Sequence, residues 1–437
     1  MTTALVKSST LIVMPSDSSG DPDTTKARIV ELSGAPTFSD SYDSIERNVV
    51  RKAFSSYAPL RGLETTSQQV TIELHGSGSA ITPPESALLY KSAFGALIGP
   101  TTPGTDWTSI VDDSLSTTIA TGGTGSFSPV TGTDPTIYTC TITVADASGF
   151  QPHYPIRIYS GTTLKTIGFI TEVDESADTI KFITENDSTL ADNDTVDCGF
   201  LFSLRAKDLS QIADIEEANF DYYRGNITKE AWFGCRNTEF SIDFSTGQVC
   251  LPSFSFEGSQ VGYSSAAYDK TTYGWTSTEP TSDSSRTSPL VIQLADVFMT
   301  DEDGNYFQEC ISNVQLSLTN EVYKKQCIAS TGIGEVIRTS RSCSGSLNTF
   351  YVNKDFQQAF KDNEMYRLRA LFNYASSLDA SGDKVFSNKM GNIVAISIPQ
   401  LKFSEVSVEE DSGIFKYANS FSCEPHDGDD ELFFAFL

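Results

Sequence analysis

Two stretches of the chain, Val249-Cys-Leu-Pro-Ser-Phe-Ser-Phe-Glu257 and Ile396-Ser-Ile-Pro-Gln-Leu-Lys-Phe-Ser404, read as versions of one β-strand. Both alternate apolar and polar residues, both place Pro after a branched aliphatic, and both carry Phe further along. Each follows a turn signal, Ser245-Thr-Gly247 in the first and Gly391-Asn392 in the second. Alternation with period two marks a strand with one buried face. A strand repeated in repeated surroundings points to a duplicated unit, and two similar units in one chain can fill neighbouring positions of a symmetric ring.

Outward from these strands, the chain divides into a first unit at residues 1–120 and 200–258, a linker at 259–288 and a second unit at 289–437. A small all-β module at 121–199 interrupts the first unit; its strands fall between Ile137 and Asp197, separated by Ser-Gly, Asp-Glu-Ser and Asn-Asp turns. Ala35 to Glu64 is a polar, basic stretch without clear periodicity, which reads as a functional loop or an extended hairpin. Gln68–Leu74 alternates cleanly. Glu85–Ile98 has helical spacing, with Thr82 as cap, Pro in the first turn, and Gly95 and Gly99 near the end. A second short helix is expected at Asp355–Asp362.

Composition narrows the function. The 437 residues supply ample core, and 28 Phe and 17 Tyr among Ser-, Thr- and Gly-rich turns favour strands over helices. No apolar run is long enough to span a membrane, and the start lacks the pattern of a secretory signal. The eight cysteines include no CxxC pair, so they read as reduced, buried thiols and not as zinc ligands. His75, His153 and His426, the three histidines, sit in no nucleophile or metal motif. The expectation is therefore no enzyme, no catalytic residue, no cofactor and no metal. A net charge of −27 argues against tight nucleic-acid binding, which needs clustered Lys and Arg to displace phosphate counterions.

Two segments suggest contacts between copies. The acidic region after Glu409 ends in Leu432-Phe-Phe-Ala-Phe-Leu437, and an apolar tail of this kind is expected to dock onto a neighbouring subunit through Leu432, Phe433, Phe434 and Phe436. The basic loop, with Arg47, Arg51, Lys52, Tyr57, Leu60 and Arg61, is expected to meet an acidic surface on the next copy.

The sequence resembles the tail tube (major tail) proteins of long-tailed bacteriophages. The likeness rests on the loop ending in Tyr57-Ala-Pro-Leu-Arg-Gly62, the Gln68–Leu74 strand with Gly76-Ser-Gly78, and the Pro-started helix. It rests also on Asn392-Ile-Val-Ala-Ile-Ser-Ile-Pro399 with Leu401-Lys-Phe403, and it covers about half the chain. The resemblance implies a mainly β fold: two tandem β-sandwich or barrel domains, each with a short flanking helix, plus the inserted module. It implies stacked rings around a DNA conduit, with Ala35–Glu64 reaching the adjacent ring. Because the chain is about twice the usual length, it implies a homotrimer imitating a hexamer. The implied partners are other copies of itself and the tail terminator, tape measure and tail-tip proteins, with DNA passing through the lumen without tight binding and no membrane. The implied location is the virion tail, assembled in the host cytoplasm. A carbohydrate-binding or other surface-exposed β-sandwich adhesion protein is the alternative.

Overall fold

A computed structural model describes residues 9–17, 20–46, 60–100, 110–130, 133, 136–204, 217–225, 227–258, 260–273, 275, 289–290, 295–301, 304, 306–307, 311–326, 333–350, 354–373, 375–378, 384–386, 390–411, 413–426 and 428–437. Its backbone is an eight-stranded antiparallel strip. The strands are β1 (Thr37–Ile45), β2 (Leu60–Thr71), β3 (Thr228–Ser245), β4 (Ser253–Gly258), β5 (Ile311–Gln326), β6 (Ile333–Thr349), β7 (Val394–Asp411) and β8 (Ile414–Glu424). Pairing runs β1-β2-β4-β3-β5-β6-β8-β7. Helix α1 (Ala87–Phe94) lies between β2 and β3 in sequence, and α2 (Lys354–Asp362) lies between β6 and β7.

That order is one pattern written twice. A long hairpin (β1/β2, then β5/β6) precedes a helix and a second hairpin (β3/β4, then β7/β8), and in each half β2 or β6 pairs with the second arm of the later hairpin. The irregularities coincide as well. The first long hairpin shifts register between Tyr42↔Glu64 and Ser44↔Arg61, and the second between Glu321↔Ser340 and Val322↔Arg338, with two further shifts of its own near Ile311 and Gln326. The later hairpins shift between Asn237 and Glu239 and between Phe403 and Glu405. Bulges re-aim a strand at a fixed point, so matched bulges tie the two registers together. The strands compared in the sequence are not the equivalent ones. Val249–Glu257 leads into β4, the second arm of its hairpin, whereas Ile396–Ser404 lies in β7, a first arm. The partner of β7 in the pattern is β3.

The strip buries one face. Phe240, Ile242 and Phe244 of β3, Leu316 and Leu318 of β5, Phe254 and Phe256 of β4, and Phe421 of β8 point into one core, while the residues between them face outward. All eight residues of α1 are buried in that core. Tyr90 stacks on Phe434 at 5.1 Å between ring centroids and meets Phe202, Phe240 and Phe254 edge-on or tilted. Lys91 is held on the same helix by the carbonyl of Ile110 at 2.6 Å and the carboxylate of Asp112 at 2.8 Å. The helix is shorter than its spacing predicts. Gly95 ends it at φ 115°, and Ala96–Gly99 becomes a strand pairing with Phe200–Ser203.

The inserted module is a seven-stranded sheet running from Ser116–Thr118 to Ser128–Pro129 by way of Thr195–Asp197, Pro155–Ser160, Thr163–Asp174, Thr179–Thr184 and Tyr138–Thr143. A bridge between Ile119 and Val144 joins the Ser116–Thr118 end back to the Tyr138–Thr143 strand, which closes a small barrel. Closure removes an otherwise exposed strand edge. The barrel does not hang free: Leu371, Ile393, Ala395, Phe433 and Leu437 of the main body belong to its hydrophobic cluster. Arg157, fully buried with Asp197 at 2.5 Å, also donates to the Ala80 carbonyl at 2.7 Å, outside the module.

Candidate functional site

The outward face of the strip is its most distinctive surface. Across the strands, Ser253, Ser241, Ser317 and Ser344 stand directly opposite one another, and Asp243, Gln315, Ser346 and Ser420 form the next row. A hollow of about 500 Å³ on this face is lined by polar side chains, among them Glu239, Asp243, Gln315 and six serines, together with Ile242, Leu251, Leu316, Gly345 and Phe421. Cross-strand neighbours lie about 5 Å apart, so the hydroxyls of one row stand within reach of one another. Asp243 accepts from Asn313 at 2.5 Å and from Gln315 at 3.0 Å, which fixes its carboxylate in the plane of the surface. Two cations near the margins are matched, Lys416 lying 4.0 Å from Glu409 and Lys324 lying 3.0 Å from Glu257, and Lys402 of β7 stands opposite Ser422 at the end of the serine row.

Where the two halves meet, β3 pairs with β5 over Glu239–Ser245 and Asn313–Thr319. The joint is closed over α1: Arg338 donates to the carbonyls of Ser92 at 2.8 Å and Ala93 at 3.2 Å, and Asn320 donates to Ala93 at 3.2 Å. Those carbonyls end the helix and lack intrahelical partners. At the outer ends of the strip nothing comparable is seen among the described residues. Over Thr37–Asp40, β1 pairs with β2, and over Val406–Glu409, β7 pairs with β8, in each case on one side. Val408 is 44% exposed there, and Phe360 of α2 is 45% exposed.

The expected contact residues separate into two groups. Leu432, Phe433, Phe434 and Phe436 are buried in this chain's own core, at most 2% exposed. Phe433–Phe436 pairs with Phe200–Ser203 on one side and with Val394–Ser397 of β7 on the other. The tail therefore stitches the two halves of one chain together, which corrects the expectation that it docks onto a neighbour. Its acidic flank is fastened too, with Arg341 gripping Asp429 at 2.5 Å and Glu431 at 3.2 Å. Of the loop residues, Leu60 is 52% exposed at the start of β2, and Arg61 sits at a register position opposite Ser44. Arg47, Arg51, Lys52 and Tyr57 lie outside the described residues.

Burial pushes the Cys140 thiol up to about 11 and raises those of Cys235 and Cys250 further, whereas a nucleophilic cysteine needs the opposite shift. Burial, with Arg369, Arg367 and His426 nearby, pulls His153 down to about 3, so its ring is neutral at ordinary pH. Among the described residues no group of three or more His, Cys, Asp or Glu could hold a metal ion, and no helix is long and apolar enough to cross a membrane.

Comparison with known proteins gives one decisive match: the family model described as phage tail tube protein aligns with residues 4–409. No curated protein matches. Among solved structures, the baseplate of the anti-feeding prophage, determined by cryo-electron microscopy with six-fold symmetry, is 14% identical over 31% of this chain and 91% of that chain, at a TM-score of 0.23. MrkH from K. pneumonia in its apo state is 12% identical over 64% of this chain and 82% of that chain, at a TM-score of 0.14. Both superpose too poorly to inform the fold.

Proposed function

Since the chain belongs to the phage tail tube protein family, making it a structural component of the virion tail, we propose that it assembles with two further copies into a closed ring, and that such rings stack into the conduit for DNA. The observation that supports this is the twice-written strip, in which one chain brings two similarly connected sets of four strands; in the proposed ring each set fills one of six positions. The polar face lines the lumen. Phosphate contacts by Lys and Arg make nucleic acid adhere through counterion release, and a surface dominated by hydroxyls, amides and carboxylates offers few. DNA can then slide without being held. Tail terminator, tape measure and tail-tip proteins are the further partners, and assembly takes place in the host cytoplasm.

Negative-stain microscopy of the purified chain tests the reading. Rings or tubes built from trimers are expected. Uniform monomers across a wide concentration range would overturn it and return the adhesion alternative to first place.

A further inference from the structure

We infer that Cys343 of β6 and Cys423 of β8 are a modification site, which a peroxide oxidises to a disulfide within one chain. The two residues stand directly opposite one another in the antiparallel register, and their Sγ atoms lie 3.0 Å apart. Directly opposite residues have Cα atoms about 4.5 or 5.5 Å apart, and disulfides span about 4.4–6.8 Å. Rotation of the side chains therefore closes the bond without moving a strand. Both residues are free thiols, and theirs is the only thiol–thiol contact among the described cysteines.

Two observations set the pair apart from ordinary core cysteines. The fold does not demand it, because the first half builds the matching joint without thiols. Phe421 faces Gly345 as Phe256 faces Gln68, and two residues further on Cys423 faces Cys343 where Gly258 faces Thr66. There the Thr66 hydroxyl donates to the Gly258 carbonyl at 2.8 Å. Access is the second: Cys343 is 5% and Cys423 7% exposed, against at most 2% for Cys140, Cys198, Cys235 and Cys250. Hydrogen peroxide, little larger than water, reaches this pair before the others. One thiol loses its proton and its sulfur attacks the peroxide; an S–O bond forms, the O–O bond breaks, and the departing hydroxide takes the proton as water. The second thiol displaces the hydroxyl of that sulfenic acid; the S–S bond forms, the S–O bond breaks, and a second water leaves with the remaining proton. Each sulfur gives up one electron and the two peroxide oxygens are reduced. Contact with Cys343, and then burial, hold the Cys423 thiol well above its ordinary range, so the reactive thiolate is scarce and the step slow. A cytosol that keeps thiols reduced leaves the pair open, and a virion tail outside the host has no such protection. The strands are then unlinked while the chain folds and fastened afterwards. That timing rests on the proposed assembly in the host cytoplasm; the bond rests on the fold alone.

Hydrogen peroxide treatment of the purified full chain, followed by alkylation and trypsin without reductant, tests the site by mass spectrometry. A disulfide joining peptide 342–354 to peptide 417–437 is expected, on a chain that still migrates as a single unit in denaturing gels. Cys140, Cys198, Cys235 and Cys250 are expected to be recovered alkylated. The thermal midpoint should rise by about 2–5 °C and fall back when dithiothreitol is added. Cys343→Ala and Cys423→Ala, given the same oxidant, should show neither the joined peptide nor the rise. If either variant fails to fold, the joined peptide of the parent and its reversal decide alone. A peptide joined to a different cysteine, covalent dimers through Cys343 or Cys423, or recovery of both thiols alkylated after an exposed control thiol has been fully oxidised overturns the inference. The joined peptide in a chain that forms no rings would refute the ring reading and leave this site standing.

Discussion

Gly345 sits on β6 directly opposite Phe421 of β8, and a side chain there has no room. An added Cβ would clash with the Phe421 ring and lie 2.5 Å from the Gln315 carbonyl oxygen. Phe421 is 1% exposed and has nowhere to retreat. Gly345→Ala is expected to destabilise the fold by about 1–3 kcal/mol, the usual toll of overpacking, read as a lower midpoint in denaturant. An unchanged midpoint would show that the ring swings aside. Tyr90 tests the opposite property. Its ring is gripped by five aromatics, but its hydroxyl is buried without a hydrogen-bond partner among the described residues. Tyr90→Phe should leave stability equal or higher, because an unsatisfied buried hydroxyl costs about 1–3 kcal/mol. Tyr90→Ala should cost about 3–5 kcal/mol through the cavity it leaves. Thermal melts of both variants decide the matter. The Tyr90 environment could be anticipated only in part: helical spacing marked the residue's neighbours as core, but which rings surround it depends on strands more than a hundred residues away.

Element boundaries followed the local signals where those were strong. Alternation located β4, part of β7 and the end of β2, because a half-buried strand imposes period two regardless of its partners. The helix at α1 was legible too, yet its far end was not. Leu97 and Ile98 continue the helical spacing, and only pairing with Leu201 and Phe202 pulls them into a strand after Gly95. The mistaken match of Val249–Glu257 with Ile396–Ser404 has the same origin. Both are alternating strands beside a proline, and being first or second arm of a hairpin is a property of pairing that leaves no mark in nine residues. The apolar tail is the sharpest case. Composition announced burial correctly and was silent on which chain would provide the cover. Deleting Leu432–Leu437 is now expected to abolish the cooperative fold, since losing one such buried side chain costs about 3–5 kcal/mol against a typical total of about 5–15. Loss of near-ultraviolet circular dichroism would register it. A deleted chain that folds normally and fails only to assemble would restore the inter-subunit role.

At the scale of the molecule, the module and the main body share a titratable contact. Asp296 of the strand Ala295–Asp301 has its carboxyl pKa raised by burial, and further by hydrogen bonding and repulsion from Glu185 of the module. A carboxyl kept protonated in the fold binds one more proton than the unfolded chain does at neutral pH. Its contribution is thus complete below the ordinary carboxylate range and declines as pH rises toward the raised value, with a slope approaching about 1.4 kcal/mol per pH unit. Asp296→Asn should flatten the fall of stability with pH; identical slopes in parent and variant would exclude the linkage. The outward polar face was half legible at this scale. Each strand announced its own hydrophilic side, but the merging of those sides into one surface follows from the order β1-β2-β4-β3-β5-β6-β8-β7, which no single strand encodes.

The joint between β3 and β5 also has a kinetic meaning. Two bodies on separate chains must find each other by diffusion, and their contact weakens on dilution. On one chain the same contact forms at an effective concentration in the millimolar range, set by the connecting segment and independent of how much protein is present. Every second joint of the proposed ring is of this kind. Its closure needs three seams between chains where separate units would need six, and half of its seams cannot open by dissociation.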